Sequence, residues 1–429
     1  MARQRRTAPG LSRVAPPTAA TVGSLLAQII SERAVFPVFQ PIVDLASRKI
    51  VGAEALARGP AGSPLEFPDA LFRAATEAGV LTDLDQICVT RALRTAQAAG
   101  PAVPSLVFVN AEPAALHRPP SLELRTAVED SDQFRIVLEF TERALSAAPA
   151  ALLHVADRVH ASGDAVALDD VGTDPLSLAF MPLVEPEVVK LDMHLLRSPH
   201  DPGTTAVAAT VFGFAERTGA TILAEGVETE DDAANALALG ARWGQGWLFG
   251  RPGPLAAIAG RPVDRGVRLR PPQPGLRKPA GTPFGLASTR NPVRTGDPSM
   301  IGSVIAYVLT QAAGSGPHAM VLVCAPNDPG QLPAWLPRLT ALRAHAGYVG
   351  LLSPALPPGP HPIHTARLDG ADPIGSEATL AVLGPHMAIA LCMRRAEPAG
   401  SEPGTDFVLT QDHDMVRVIT RMIMQRFHR

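Results

Sequence analysis

Cysteine is scarce in this sequence: Cys88, Cys324 and Cys392 are odd in number, far apart and set among apolar residues. That excludes a disulfide framework and reads as reduced core thiols of a cytoplasmic protein. Long apolar runs are also missing. Runs such as 304–309 and 387–393 fall far short of a bilayer span, and the Arg-rich start lacks the apolar stretch of a secretory signal, so no membrane partner is expected. A surplus of positive charge is absent too, and the formal net charge of -3 gives no field for a polymeric nucleic acid. What is abundant is apolar material, 46% of 429 residues, enough for the cores of two or three domains.

Residues 1–23 are rich in Arg and Pro and read as a disordered basic tail. From 35 to 249, β-like runs (35–43, 50–57, 106–110, 136–141, 165–169, 188–192, 221–224 and 242–249) alternate with Ala- and Leu-rich helical stretches such as 84–98, 150–162, 205–218 and 231–239. Repeated β-then-α units predict a parallel α/β domain, and eight strands fit a (β/α)8 barrel. Only the short turn 44–49 separates the first two runs, so that pair is expected to be antiparallel. At 255–298 the composition turns to Pro, Arg and Gly, which predicts a stiff, extended linker. Residues 299–429 then carry a helix (301–313), strands (320–324, 349–353), an apolar run (377–393) and an amphipathic last helix (415–427), predicting a smaller α/β domain.

The chemistry gathers where strands end. Glu54, Asn110, Glu139, Asp169, Asp170 and Glu225 each fall at or just past the C-terminal end of a predicted strand, the face on which barrel active sites are built. Five carboxylates converging there would repel one another unless divalent cations neutralised them, and an all-oxygen set suits Mg²⁺ or Mn²⁺. Lys190 also stands out, because Lys49 and Lys278 are the only other lysines. A compact ammonium inside Val188-Val189-Lys190-Leu191-Asp192 is suited to orienting a water or offsetting phosphoryl charge. Taken singly, each of these residues has an ordinary reading as a strand-end, turn-capping or solvated group; their recurrence at successive strand ends carries the argument.

Phe39-Gln40-Pro41-Ile42-Val43 followed by Glu54-Ala55-Leu56-Ala57-Arg58 resembles the opening of the EAL-domain cyclic di-GMP phosphodiesterases. Phe108-Val109-Asn110, Leu138-Glu139-Phe140-Thr141-Glu142, Asp169-Asp170-Val171-Gly172-Thr173, Val189-Lys190-Leu191-Asp192, Ala224-Glu225-Gly226-Val227-Glu228 and Gln245-Gly246-Trp247-Leu248-Phe249 resemble the later motifs in the family's order, over 24–254. The resemblance implies a modified TIM-like barrel that opens cyclic di-GMP to linear pGpG with two divalent cations, Mg²⁺ or Mn²⁺. It implies that Glu54, Asn110, Glu139 and Asp169 hold one ion and that Asp169, Asp170 and Glu225 hold the other. Lys190 and Gln245 would attend the nucleophilic water. Gln40, Arg58 and Glu228 would position the substrate, and Glu142 would steady the loop after Asp170. A homodimer through the barrel is implied as well.

One motif departs from the family. Where members read DDFGTGYSSL, this chain has Asp174 and Pro175 in place of the flexible glycine and the aromatic of a loop that couples dimerisation to metal binding. Aspartate replaces such a glycine most easily where the backbone is left-handed. A degenerate receptor that binds cyclic di-GMP without cleaving it is the alternative; such receptors usually lose metal ligands, and here none is missing. No GGDEF-type cyclase signature occurs. Residues 299–429 resemble, more loosely, the DICT sensory domain, best over 406–416, where Thr410 and Asp412 are expected to cap the last helix.

Overall fold

Eight short strands alternate their side chains between an interior and a surrounding helical layer, and this two-residue period closes them into a barrel. The computed structural model describes residues 19–112, 117–141, 145, 148–271, 281–326, 332–356, 359–396 and 404–427. The strands are β1 (Val38–Asp44), β2 (Ile50–Leu56), β3 (Leu106–Asn110), β4 (Arg135–Phe140), β5 (Ala165–Val171), β6 (Val188–Leu191), β7 (Thr221–Ala224) and β8 (Trp243–Gln245). β1 runs antiparallel to both its neighbours, β2 and β8, while the others are parallel. The barrel with an antiparallel first pair is therefore as the sequence predicts.

Helices Pro68–Glu77, Leu81–Ala98, Leu122–Glu129, Pro149–Ser162, Pro175–Val184, Pro202–Thr218 and Glu230–Ala238 wrap the barrel. Several start on a proline with a capping side chain before it, as at Asp174 and Asp201, which satisfies amide donors that have no partner in the first turn. The interior is apolar, with Ile42, Phe108, Val137, Ala167, Val188, Leu223 and Trp243 packed together.

The second unit is a seven-stranded sheet in the order β12-β11-β10-β13-β14-β15-β9. Its strands are β9 (Arg294–Gly296), β10 (Met320–Cys324), β11 (Tyr348–Ser353), β12 (His364–Arg367), β13 (Ala378–Leu383), β14 (Ala388–Arg395) and β15 (Thr405–Thr410). Helices Pro298–Gly314 and Leu332–Leu342 pack on one face through Val308, Trp335 and Leu339. Helix His413–Met424 covers the other face and joins the barrel's own core. Asp412 caps this helix by accepting from Met415 N at 2.9 Å, while Thr410 Oγ1 accepts from Asp412 N at 3.2 Å.

The stretch predicted as linker carries more structure than its composition suggests. Residue 263 bridges to Ile50, and Arg265 donates to Val103 O at 2.7 Å. Helix Pro283–Ala287 and β9 belong to the second sheet unit. Backbone pairing of this kind leaves no trace in composition. Helix Ala19–Glu32 begins inside the predicted tail, whose first 18 residues lie outside the described ones.

Candidate active site

Six strands end their inward-facing register on a polar residue. Asn110, Glu139, Asp169, Lys190, Glu225 and Gln245 each stand two positions after an interior apolar residue: Phe108, Val137, Ala167, Val188, Leu223 and Trp243 respectively. The two-residue period thus sets a polar layer directly on an apolar one. On β2 the residue beneath Glu54 is Gly52, where a Cβ would lie 3.0 Å from the Phe108 ring, so the small residue makes room for the interior aromatic. β1 joins the same end by running antiparallel, which puts Gln40 in register with Glu54.

Adjacent strand residues should face opposite ways, yet Asp169 and Asp170 both reach the site. The β5–β6 register shifts between Leu168 and Val171, and Asp170 takes a left-handed φ of 56°. This bulge re-aims Asp170. Oxygens of Asp169, Asp170 and Glu225 lie within 4.8 Å of one another, a grouping able to hold a metal ion.

Lys190 is 1% exposed and sits at the centre. Its Nζ lies 2.8 Å from Glu139 Oε1, 2.8 Å from Asp169 Oδ1, 2.9 Å from Glu225 Oε1 and 3.7 Å from Glu54 Oε2. Burial pulls its pKa down, but the carboxylates of Asp169, Glu139, Glu225 and Glu54 outweigh that and hold it well above the usual lysine value. One ammonium does not satisfy all of them. Burial first, then the charges of Glu54 and Asp169, push Glu139 well above the carboxylate range; burial and Asp169 do the same to Glu225. Glu54 moves the other way: burial raises it, but Lys190 and hydrogen bonds from Gln245 and Asn110 leave it lowered.

Those hydrogen bonds brace Glu54. Asn110 Nδ2 donates to Oε1 at 3.0 Å and Gln245 Nε2 donates to Oε2 at 2.7 Å. Gln245 Nε2 also lies 3.2 Å from Gln40 Oε1, and Gln40 in turn donates to Gly250 O at 3.1 Å. Glu139 Oε2 and Gln245 Oε1 are buried with no hydrogen-bond partner. Buried acceptors without donors, together with carboxylates in excess of the one ammonium, fit hard divalent cations.

The remaining predicted residues lie further out. Arg58 donates to Ala57 O at 2.8 Å, its guanidinium 5.9 Å from the centre of the Phe67 ring. Glu228 pairs with Arg197 at 3.3 Å. Glu142 lies outside the described residues. Asp174 is extended (φ -131°, ψ 132°) rather than left-handed; it caps helix Pro175–Val184 by accepting from Leu176 N at 2.8 Å, with Pro175 at the first helical position. Asp170 and Gly172 take the left-handed conformations of this loop instead.

Sequence reasoning missed Asp85. It lines a cavity of about 810 Å³ that adjoins Glu54 and Asn110 and is walled by helices Pro68–Glu77 and Leu81–Ala98, a volume suited to a small organic ligand. Burial pushes its carboxyl up to about 7, against the backbone N–H of Glu112 that it accepts at 3.0 Å. An acid within an amphipathic helix gives no strand-end signal, so nothing in the sequence pattern marks it.

Fold and site together define an α/β-barrel protein with a lysine-centred acidic cluster at the C-terminal ends of its strands. Residues 24–252, more than half of the chain, match the family model described as EAL domain, and the chain belongs to that family. Similar curated proteins include the "Probable cyclic di-GMP phosphodiesterase PdeI" of Escherichia coli strain K12, 27% identical over 235 residues, covering 52% of this chain and 29% of that protein. Another is the "Cyclic di-GMP phosphodiesterase PA2567" of Pseudomonas aeruginosa, 29% identical over 239 residues, covering 53% and 40%. The chain thus spans less than half the length of these two relatives. Among solved structures, "PaMucR Phosphodiesterase, c-di-GMP complex" is 24% identical with a TM-score of 0.48, covering 55% of this chain and 99% of that one. The manganese and cyclic di-GMP complex of Klebsiella pneumoniae BlrP1 is 26% identical with a TM-score of 0.44, covering 51% and 56%. No helix among the described residues is long and apolar enough to cross a membrane.

Proposed function

We infer that this chain hydrolyses cyclic di-GMP to pGpG. The observation that carries the reading is the acidic layer itself: Asp169, Asp170 and Glu225 gathered within 4.8 Å at the strand ends, beside a lysine buried among carboxylates. Membership of the EAL family and relatives named as cyclic di-GMP phosphodiesterases support it.

Glu54, Asn110, Glu139 and Asp169 would hold one divalent cation, Mg²⁺ or Mn²⁺, and Asp169, Asp170 and Glu225 a second. When bound, the two ions would supply Lewis acidity toward a water and a phosphoryl oxygen. The protein's part is positional. Lys190 fixes the inward carboxylates and presents an ammonium where phosphoryl charge develops. Gln245 and Asn110 hold Glu54, and Gln40 holds Gln245. Arg58 and Glu228, at the rim, would position phosphate or guanine, and Glu142 would support the Asp170 loop. Water attacks phosphorus, one P–O bond of the ring breaks, and the leaving 3′ oxygen takes up a proton.

The C-terminal sheet unit is assigned a regulatory, DICT-like role. A homodimer through the barrel would use a face other than that of helices Pro149–Ser162 and Pro175–Val184, because helix His413–Met424 packs there. The test is incubation with cyclic di-GMP and Mg²⁺ or Mn²⁺, with chromatography for pGpG. Product from the wild type and none from Asp169→Ala supports hydrolysis; tight binding with no product supports a receptor.

A further inference from the structure

Helix Pro175–Val184 is apolar except for Ser177, and each residue from Leu176 to Val184 is buried. A barrel's outer helix normally keeps one face in water. Here the second unit covers that face: Phe180 meets Tyr348 edge-on, ring centroids 5.2 Å apart, and the α-carbon of Gly347 comes so close that a Cβ there would lie 3.4 Å from Ala179. One hydrophobic core runs through both units.

Both ends of this helix are anchored. At the start, Thr173 N and Oγ1 donate to Asp170 O at 3.3 and 2.9 Å, and Asp174 caps the first turn, so the helix is tied to the Asp169-Asp170 loop. At the far end, where carbonyls lack intrahelical donors, arginines of helix His413–Met424 take over. Arg421, only 3% exposed, donates to Leu183 O and to Leu153 O (3.2 Å) and pairs with Asp157. Arg417 pairs with Glu185, the left-handed residue that ends the helix. Ten residues at about 1.5 Å per residue make a strut of roughly 15 Å between clamp and loop.

We propose that the C-terminal unit sets the metal-binding geometry of the barrel through this strut, with Arg417 and Arg421 as positioning residues for the Asp169-Asp170 loop. The inference rests on the reading of that loop as a metal site. A strut packed on all sides moves as a body, so a shift at its clamped end reaches Asp170 instead of being absorbed on the way.

The test measures Mn²⁺ binding by calorimetry on the full chain, alongside thermal melting. Arg421→Met and Arg417→Gln are expected to weaken Mn²⁺ binding about fivefold or more, with Arg417→Lys restoring it by keeping the pair to Glu185. Asp406→Asn, on β15 away from the strut, should leave affinity unchanged. Should Arg421→Met not fold, Arg417→Gln decides, since its side chain keeps some contact with solvent and it loses only the ion pairs to Glu185 and to the exposed Asp414. Wild-type Mn²⁺ affinity in a folded Arg417→Gln, with binding abolished in Asp169→Ala, overturns the strut while leaving the metal site intact. A folded wild type that binds no Mn²⁺ overturns both.

Discussion

Gln245 Nε2 lies 2.7 Å from Glu54 Oε2, so the last side chain of the barrel's final strand braces a carboxylate on its second. Both residues are buried, at 4% and 6% exposure, which makes the loss of this hydrogen bond costly to the geometry of Glu54. Gln245→Ala is therefore expected to weaken Mn²⁺ binding by roughly tenfold, the usual effect of removing a residue that orients a metal ligand. Calorimetric titration of the folded variant checks this. Unchanged affinity would show that Asn110 alone holds Glu54.

Lys190 touches four carboxylates and has no room to spare. Arginine keeps the charge but brings a wider planar fork, so Lys190→Arg should lower kcat by about a hundredfold while the KM for cyclic di-GMP changes little. Steady-state kinetics separates the two parameters. A kcat within a few fold of wild type would reduce Lys190 to a structural counter-ion.

Asp174 and Pro175 make a helix start directly after the Asp169-Asp170 loop. The cap accepts from Leu176 N, and proline supplies the φ that the first helical position needs. Asp174→Ala should cost about 1 kcal/mol of stability. Asp174→Gly combined with Pro175→Tyr should also loosen the loop, so that metal-free protein becomes more susceptible to proteolysis near 172–176 while metal protects it. Equal proteolysis rates for the double variant and the wild type, both without metal, would show that proline does not order the loop.

The barrel was legible because its signal is local: eight runs alternate with helices, and the two-residue period that marks a strand also places Asn110, Glu139 and Lys190 on its inner face. Asp170 was legible as a strand-end carboxylate but its direction was not, since the same period sends it outward and a bulge at φ 56° overrides the pattern. Helix Pro175–Val184 went unassigned because a run apolar at all but Ser177 lacks helical periodicity, and what covers its outer face is a unit more than 160 residues further along the chain. Composition misjudged 281–298 for a related reason. β9 is three residues long and owes its existence to β15, with which it pairs through Thr405, Asp406 and Phe407.

Asp85 gives the site a titration in the neutral range. Burial holds its folded pKa at about 7, against the ordinary value of 3.8. Below the ordinary value both folded and unfolded chains carry the proton, so the residue favours neither state. As pH rises above it, the unfolded chain releases the proton while the folded chain retains it, and folding loses stability until the folded group also ionises near pH 7. At about 1.4 kcal/mol per unit the full loss is on the order of 4 kcal/mol, of which roughly 3 falls between pH 5 and pH 8. Asparagine keeps an oxygen for the Glu112 N–H but does not titrate. The stability advantage of Asp85→Asn over wild type should therefore grow by roughly 3 kcal/mol across that interval, read from denaturant midpoints at pH 5, 6, 7 and 8. A difference that stays flat with pH would mean that water in the adjoining cavity solvates the carboxylate and that its pKa is ordinary.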